Sequence, residues 1–586
     1  MCGIFALLNH DKNEDLDTIN YEFLKGQKRG PEFSKLDNSY LKMILGFHRL
    51  AINGLNNESN QPLVIDDIVL ICNGEIFNYK QLYKNIKVIP KTNSDCEIII
   101  HLYIKYGIEQ TLIMLDGEYS FILYDKRFTC DGKSNVFVAR DPFGVRPLYY
   151  LKNNNNTNNL TNLFGFASEL KCLEKFYNDS IYNYLVGQFQ PGTYSIFSLY
   201  NKPCDYWKIE KDNIPYFIPT FSHNWLETSD IFIDNMYSRI SCYLDAAVNK
   251  RCNTTERPIA CLLSGGLDSS LVAALVNNYY NMQNLQNKLE TYSIGLQGSE
   301  DLKYARIVAD YLKTNHTEIV VTEQEMFDAI PHVINAIESY DTTTVRASIG
   351  NYLLGKYIST HSTAKVILNG DGSDELFGGY LYMNKCPDDI EFDKEIRRLL
   401  KDIYLFDVLR SDKSISSNGL EPRTPFLDIS FVNFILSIPT YYRNHKNRFD
   451  IDDNRSSIEK YILRKSFSLD NFRDFEDKQI IPDIILWRKK EAFSDGVSSH
   501  GRSLYQILQE KIAEKLNKEQ LELKSKSIEQ ENAYFIFEAN INTEKLYYKI
   551  IFKTLYPNCE HILPYYWMPK YTNATDPSAR TLDIYS

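Results

Sequence analysis

The sequence predicts two domains, the second an α/β unit whose parallel sheet is flanked by helices. Three observations lead there. At 586 residues the chain is longer than one hydrophobic core organises. From residue 258 onward, short apolar strand-like runs (258–263, 289–296, 316–321) alternate with helical segments such as 271–276 and the one opening after Ser299 with Glu300 and Asp301 in its first turn. The runs at 258–263 and 366–368 end in loops of Gly, Ser and Asp, and a parallel wound sheet presents its ligand sites at the C-terminal ends of its strands.

The first of these loops is Leu263-Ser264-Gly265-Gly266-Leu267-Asp268-Ser269-Ser270. Small residues let backbone N–H groups approach a ligand, and the helix N-terminus that follows favours an anion. A carboxylate beside a phosphate calls for a metal between them, so Asp268 points to pyrophosphate plus a divalent cation. No Gly-Lys-Ser/Thr follows the glycines, which separates this loop from a Walker A loop. The second loop, Asn369-Gly370-Asp371-Gly372-Ser373-Asp374-Glu375, crowds carboxylates and glycines in a way that suits metal and nucleotide binding better than packing.

Composition narrows the function classes. The apolar fraction of 44% and charged fraction of 24% are those of a soluble globular chain. A net charge of −11 leaves no basic surplus for nucleic acid, so any anionic substrate needs a local cationic cluster. The 11 cysteines show no Cys-x-x-Cys and no regular ladder, which fits a reducing, cytoplasmic setting without a zinc site or disulfide scaffold. No apolar run approaches the roughly 20 residues of a membrane span, and no signal peptide opens the chain.

The first segment carries its own chemistry. Cys2 precedes a strand candidate at 4–8, and removal of Met1 would make it N-terminal. An α-amine with a pKa of about 7.7–8.0 can then serve as base for the thiol of the same residue. In order follow Arg29-Gly30-Pro31-Glu32, a strand carrying Arg49 (46–52), Asn73-Gly74-Glu75 after a strand at 68–71, Asp95 before a helix at 98–106, Asp116-Gly117-Glu118 and Arg140-Asp141-Pro142-Phe143-Gly144-Val145-Arg146-Pro147.

This ordered set resembles the glutamine amidotransferases with an N-terminal cysteine nucleophile. The resemblance implies an α+β domain of Ntn-hydrolase type, with stacked antiparallel sheets between helices. It implies that Cys2 attacks the side-chain amide of glutamine, with the Asn73 side chain and the Gly74 N–H as oxyanion hole. Arg49 would hold the α-carboxylate, a task suited to a guanidinium fork. Leu50, Ala51, Ile52, Asn53, Glu75 and Asp95 would complete the glutamine site. Glu32 departs from the family's usual Asp, and His48 reads as structural.

The second segment adds Thr343-Thr344-Val345-Arg346, Glu421-Pro422-Arg423 and Trp487-Arg488-Lys489-Lys490 to the two loops, and the chain nears its end with Asp576-Pro577-Ser578-Ala579-Arg580. Together these resemble the synthetase domain of glutamine-hydrolysing asparagine synthetases, and the likeness spans nearly the whole chain. It implies ATP as co-substrate, bound through Leu263, Ser264, Gly265, Gly266, Asp268, Ser269, Ile294, Asn369 and Gly370, with Mg²⁺ on Asp268 and Asp374. Aspartate would be adenylated to β-aspartyl-AMP with release of pyrophosphate, and ammonia from the Cys2 site would displace AMP. Thr343, Thr344, Arg346 and Asp371 would contact aspartate and the intermediate, with Arg346 and Lys490 neutralising phosphate. The family usually shows Ser-Gly-Glu-Gly-Ser-Asp, so Asn369 replaces a serine and Asp371 is one methylene shorter than the Glu that would meet ammonia. A homodimer is implied by the resemblance alone.

The expected domains are 1–200, a packed connection at 201–229, and 230–586 with a helical tail. The Asn-rich tract at 153–159 reads as a hairpin tip without chemistry. In the tail, Ile507, Leu508, Ile512 and Leu516 fall at helical spacing, as in a solvated helix over the synthetase domain; docking a partner is the alternative. Rival readings are amidation or cyclisation of another carboxylate, a non-catalytic relative, and a free-standing glutaminase. Cys2, Arg49 and Asp95 oppose the first, the near-complete motifs the second, and residues 230–500 the third.

Overall fold

The computed structural model of the chain describes residues 2–10, 15–127, 133–153, 162–177, 184–202, 204–218, 230–450, 453–490, 496–498, 502–525 and 543–578. The Asn-rich tract beyond Asn153, Trp225, 491–495, and Ala579 with Arg580 therefore lie outside the described residues.

The first 215 residues form two six-stranded antiparallel sheets. One runs, in spatial order, Tyr184–Gln188, Tyr149–Asn153, Phe164–Ala167, Gly3–Leu8, Met43–Arg49, Phe33–Tyr40. The other runs Tyr206–Pro215, Thr193–Tyr200, Asn135–Arg140, Gly117–Asp125, Ile68–Ile76, Leu63–Ile65. The apolar runs at 4–8 and 68–72 do not alternate with polar residues because both faces are covered. Ile4, Ala6 and Leu8 meet Val69 and Ile71 between the sheets. Phe5 and Leu7 pack outward with Ile19 and Phe23 of the helix Leu16–Leu24. Ile68, Leu70 and Cys72 pack outward with Ile98, Ile99 and Leu102 of the helix Ile98–Met114. This is the stacked arrangement of sheets between helices expected for the first domain. Its second sheet extends past residue 200, because Tyr206–Pro215 pairs with Thr193–Tyr200 and seals Trp207 at 1% exposure.

The second unit holds a five-stranded sheet in the order Asn315–Val321, Glu290–Leu296, Ile259–Leu262, Val366–Leu368, Glu421–Arg423, every pair parallel. The strand order reverses between Ile259–Leu262 and Val366–Leu368, so the loops leaving these two neighbours open a crevice at their C-terminal ends. The helix Leu267–Met282 follows the first loop at once, with its 270–276 stretch buried against the sheet. In the tail helix Leu504–Ser525, Ile507, Leu508, Ile512 and Leu516 are buried in the main core while Gln506, Glu510 and Glu514 are exposed, so the helix lies over the second unit with its apolar face packed and its polar face solvated. Among the described residues no helix is long and apolar enough to cross a membrane.

The two units share buried ion pairs. Arg29 of the first reaches Glu169 and, in the second, Asp412 at 2.8 Å. Arg146 meets Glu118 at 3.0 Å and Asp412 at 3.2 Å, and Arg251 joins Glu118 to Asp428. Buried guanidinium–carboxylate pairs of this kind cost much when one partner is lost, which holds the units in one register.

Candidate functional site

The chemistry falls in two clusters. In the first, the N–H of Cys2 donates to Asn73 Oδ1 at 3.1 Å, and its thiol points at the Leu50 carbonyl, 3.8 Å away. Arg29 Nε holds the Cys2 carbonyl at 3.1 Å. Burial pushes the Cys2 thiol up to about 11, against the pull of the Leu50 contact and of Arg49. Asn73 sits inside the strand Ile68–Ile76, and its Nδ2 donates to Ser168 Oγ at 3.3 Å. Ser168 also accepts from Ile4 N at 3.0 Å, so one hydroxyl ties the nucleophile's strand to the oxyanion-hole candidate. Ser168 was not foreseen. Its sequence signal was only its place at the end of the strand Phe164–Ala167.

Gly74 is enforced by packing: a Cβ there would lie 2.5 Å from the Glu118 carbonyl. Arg49 donates to the carbonyls of Asn56 and Gly54 and to Asn60 Oδ1, so it organises the loop that carries Leu50, Ala51, Ile52 and Asn53. Asn53 Nδ2 donates to Glu75 Oε2 at 2.6 Å. Asp95 accepts from Ile76 N at 2.7 Å, and burial raises its carboxyl to about 6. Glu75 lies well above the carboxylate range, through burial and the nearby Asp95. Arg423, from the edge strand of the second unit, comes within 3.5 Å of Glu75. Glu32 accepts from Ala51 N at 2.7 Å and pairs with Arg257 at 2.8 Å, a cross-unit clasp. His48 is structural as expected, stacked on Phe23 with burial lowering it to about 4.

The second cluster lines the crevice of the parallel sheet. Leu263, Ser264, Gly266, Asp268, Ser269, Ile294, Thr343, Asn369, Gly370, Asp371, Asp374 and Lys490 all face it. Gly265 lies behind it at φ +71°, where a Cβ would strike Tyr304 and Ala305 at 2.5 Å. Its carbonyl accepts from Arg488 Nη1 at 3.0 Å. The Leu267–Met282 helix has no side-chain cap, so its first N–H groups are left for an anion. Lys460, also unforeseen, bridges the acids: its Nζ lies 2.6 Å from Asp268 Oδ2 and 2.6 Å from Asp374 Oδ1. Lys490 Nζ lies 2.5 Å from Asp374 Oδ2. Burial by itself would raise Asp374, but the two lysines hold it below the ordinary carboxylate range. Burial would lower Lys490, and the Asp374 and Asp268 charges hold it above its ordinary value. Arg410, a third unforeseen cation, pairs with Asp371 at 3.1 Å and Asp407 at 2.8 Å. A lone Lys or Arg in a helical stretch carries no signal comparable to the glycine loops.

Two expected residues fall elsewhere. Arg346 does not line the crevice. It is 3% exposed and committed to Glu544 and Asp576, which corrects its reading as a phosphate counter-charge. Thr344 spends its hydroxyl on Asp341, the N-cap of the helix Thr342–His361, and only Thr343 reaches the crevice.

The donor set suits a hard cation. Mg²⁺ is commonly held by one or two carboxylates plus substrate phosphates, and Asp268 and Asp374 face each other across the mouth of the phosphate loop. Asp374 Oδ1 lies 2.6 Å from Lys460 Nζ, so a cation there would share this carboxylate with the lysine. Among the described residues no group of three or more His, Cys, Asp or Glu forms a metal cage, so the two carboxylates would depend on phosphate oxygens to complete a shell.

Comparison with known proteins matches the two parts of the chain to two families. The glutamine amidotransferase domain family matches residues 1–213, and the asparagine synthase family matches 240–391 and 384–563. Curated proteins named asparagine synthetase (glutamine-hydrolyzing) are similar over 100% of this chain and 99% of their own length. Those from Gallus gallus, Cricetulus griseus and Homo sapiens are 39%, 38% and 37% identical to it.

Proposed function

Since the chain belongs to the family of glutamine-hydrolysing asparagine synthetases, we propose that it makes asparagine from aspartate, ATP and glutamine. The observation that carries this reading is the pairing in one chain of a Cys2–Asn73 site with a phosphate loop whose Asp268 faces Asp374.

At the first site the Cys2 sulfur attacks the glutamine amide carbon. Asn73 Nδ2 and the Gly74 N–H stabilise the oxyanion, each such donor being worth about 10²–10³ in rate. Ammonia leaves, and water releases glutamate from the acyl-enzyme. Arg49 and the 50–53 loop, with Glu75 and Asp95, hold the amino-acid end of glutamine.

At the second site a β-carboxylate oxygen of aspartate attacks the α-phosphorus of ATP and pyrophosphate departs. The 264–269 loop and the N-terminus of the Leu267–Met282 helix bind the leaving pyrophosphate, and Lys490 and Lys460 balance its charge. Asp268 and Asp374 would hold Mg²⁺, which supplies charge neutralisation on the phosphates. Ammonia then attacks the acyl carbon. AMP leaves, and Asp371 takes the proton shed by the nitrogen. Thr343 lies where it can contact the acyl group. A homodimer and a cytoplasmic setting complete the reading; the first follows from the family resemblance and the second from the cysteine pattern.

Supplying glutamine, ATP, Mg²⁺ and a panel of carboxylates tests it. Asparagine with equimolar AMP and pyrophosphate is expected. Production of ADP overturns the adenylation chemistry, and a different amidated acid overturns the substrate.

A further inference from the structure

The loop after the strand Val366–Leu368 is clamped on two sides. A Cβ at Gly370 would lie 2.8 Å from the Asp268 backbone, and one at Gly372, at φ +94°, would lie 2.7 Å from Leu427. Within that clamp one side chain spans the loop and the neighbouring helix Asp407–Ser416. Asn369 Oδ1 accepts from the Asp371 N–H at 3.2 Å, while its Nδ2 donates to Ser411 Oγ at 2.6 Å. Its own N–H donates to the Arg423 carbonyl at 3.3 Å. Asn369 and Ser411 are both nearly sealed, at 4% and 1% exposure. The residue next to Ser411 is Arg410, which holds the Asp371 carboxylate at 3.1 Å. One helix therefore grips Asp371 at the backbone through Asn369 and at the carboxylate through Arg410, with the Ser411 hydroxyl also acting on that carboxylate.

We propose that Asn369 and Ser411 are positioning residues that fix how far the short Asp371 carboxylate reaches toward the acyl carbon. This rests on the reading of Asp371 as the group that meets ammonia. A serine hydroxyl at 369 would be too short to bond both the Asp371 N–H and Ser411, whereas the longer amide ties the loop to the helix. With the tether intact, a carboxylate one methylene short can stand in place. With it cut, the loop end relaxes and the acid falls short by a distance to which proton transfer is sensitive. The Ser411 end of the tether belongs neither to the Cys2 cluster nor to the residues lining the nucleotide crevice.

The test cuts the tether outside the crevice, in Ser411→Ala. Loss of one buried hydrogen-bond partner is expected to lower kcat/KM for ammonia about tenfold. Aspartate-dependent exchange of pyrophosphate into ATP should stay within about twofold. Asp371→Glu adds about 1.5 Å of chain and should restore the Ser411→Ala enzyme to the rate of Asp371→Glu alone. A merely structural serine would slow exchange and synthesis together and would not be rescued by a longer acid; either result overturns the tether. Asp371→Asn, measured in parallel, tests the underlying reading separately. If it retains ammonia-dependent synthesis, Asp371 does not meet ammonia, whatever Ser411→Ala shows.

Discussion

Arg346 and Asp576 form a two-pronged ion pair, Nη1 to Oδ1 at 2.7 Å and Nη2 to Oδ2 at 2.8 Å, and Glu544 closes the other side of the guanidinium at 2.6 and 2.8 Å. Its fork is spent on two carboxylates from the last fifty residues of the chain. Removing it takes the one guanidinium shared by these two buried acids, and Arg346→Ala should cost about 3–5 kcal/mol of stability. Thermal denaturation should show the loss, while KM for ATP in the folded fraction stays within about twofold. A tenfold rise in KM without a change in melting temperature would return Arg346 to the phosphate.

Lys460 predicts the opposite pattern. It lies between Asp268 and Asp374, on the crevice, where charge develops as pyrophosphate leaves. Lys460→Met should lower kcat/KM for ATP about 100-fold or more with either nitrogen source. Glutaminase turnover should be unaffected, since Cys2 and its partners lie in the other cluster. Parallel assays of AMP and glutamate release separate the two.

Cys2→Ala should abolish glutamine-dependent synthesis and leave ammonia-dependent synthesis near the parent rate. Loss of both would mean that the two clusters do not work separately.

Asp95 sets a pH dependence. Burial raises its folded-state carboxyl to about 6, above the unfolded value of about 3.9, so the folded chain binds this proton more tightly than the unfolded chain. Its ionisation therefore costs stability above pH 6 and supplies the negative charge that glutamine's ammonium would meet. KM for glutamine should rise as pH falls through about 6, and Asp95→Asn should lose that step while melting higher at pH 7.5. A parent-like pH profile in Asp95→Asn would remove Asp95 from the glutamine site.

The wound parallel sheet was legible because its signals are local, whereas the stacking of the first domain's sheets was implied by the resemblance alone. Apolar runs at 4–8 and 68–71 declare strands, and glycine-rich loops after 262 and 368 declare strand ends. The tail helix followed from its spacing, which marks Ile507, Leu508, Ile512 and Leu516 as one face, and only the fold shows that this face packs into the main core.

The sequence by itself determined which motifs are present: Cys2 near the start, Asn73-Gly74, the Ser264 to Ser269 loop and the loop carrying Asp374 are each legible locally, while the fold brings Cys2 to Asn73 across 71 residues. Tertiary structure decided the charges around them. Lys460 meets Asp268 across 192 residues of chain, and Arg346 is drawn to Glu544 and Asp576 across 198 and 230. The reason is physical: a glycine loop binds through the backbone it already has, whereas a long cationic side chain goes to whichever carboxylates the fold buries beside it.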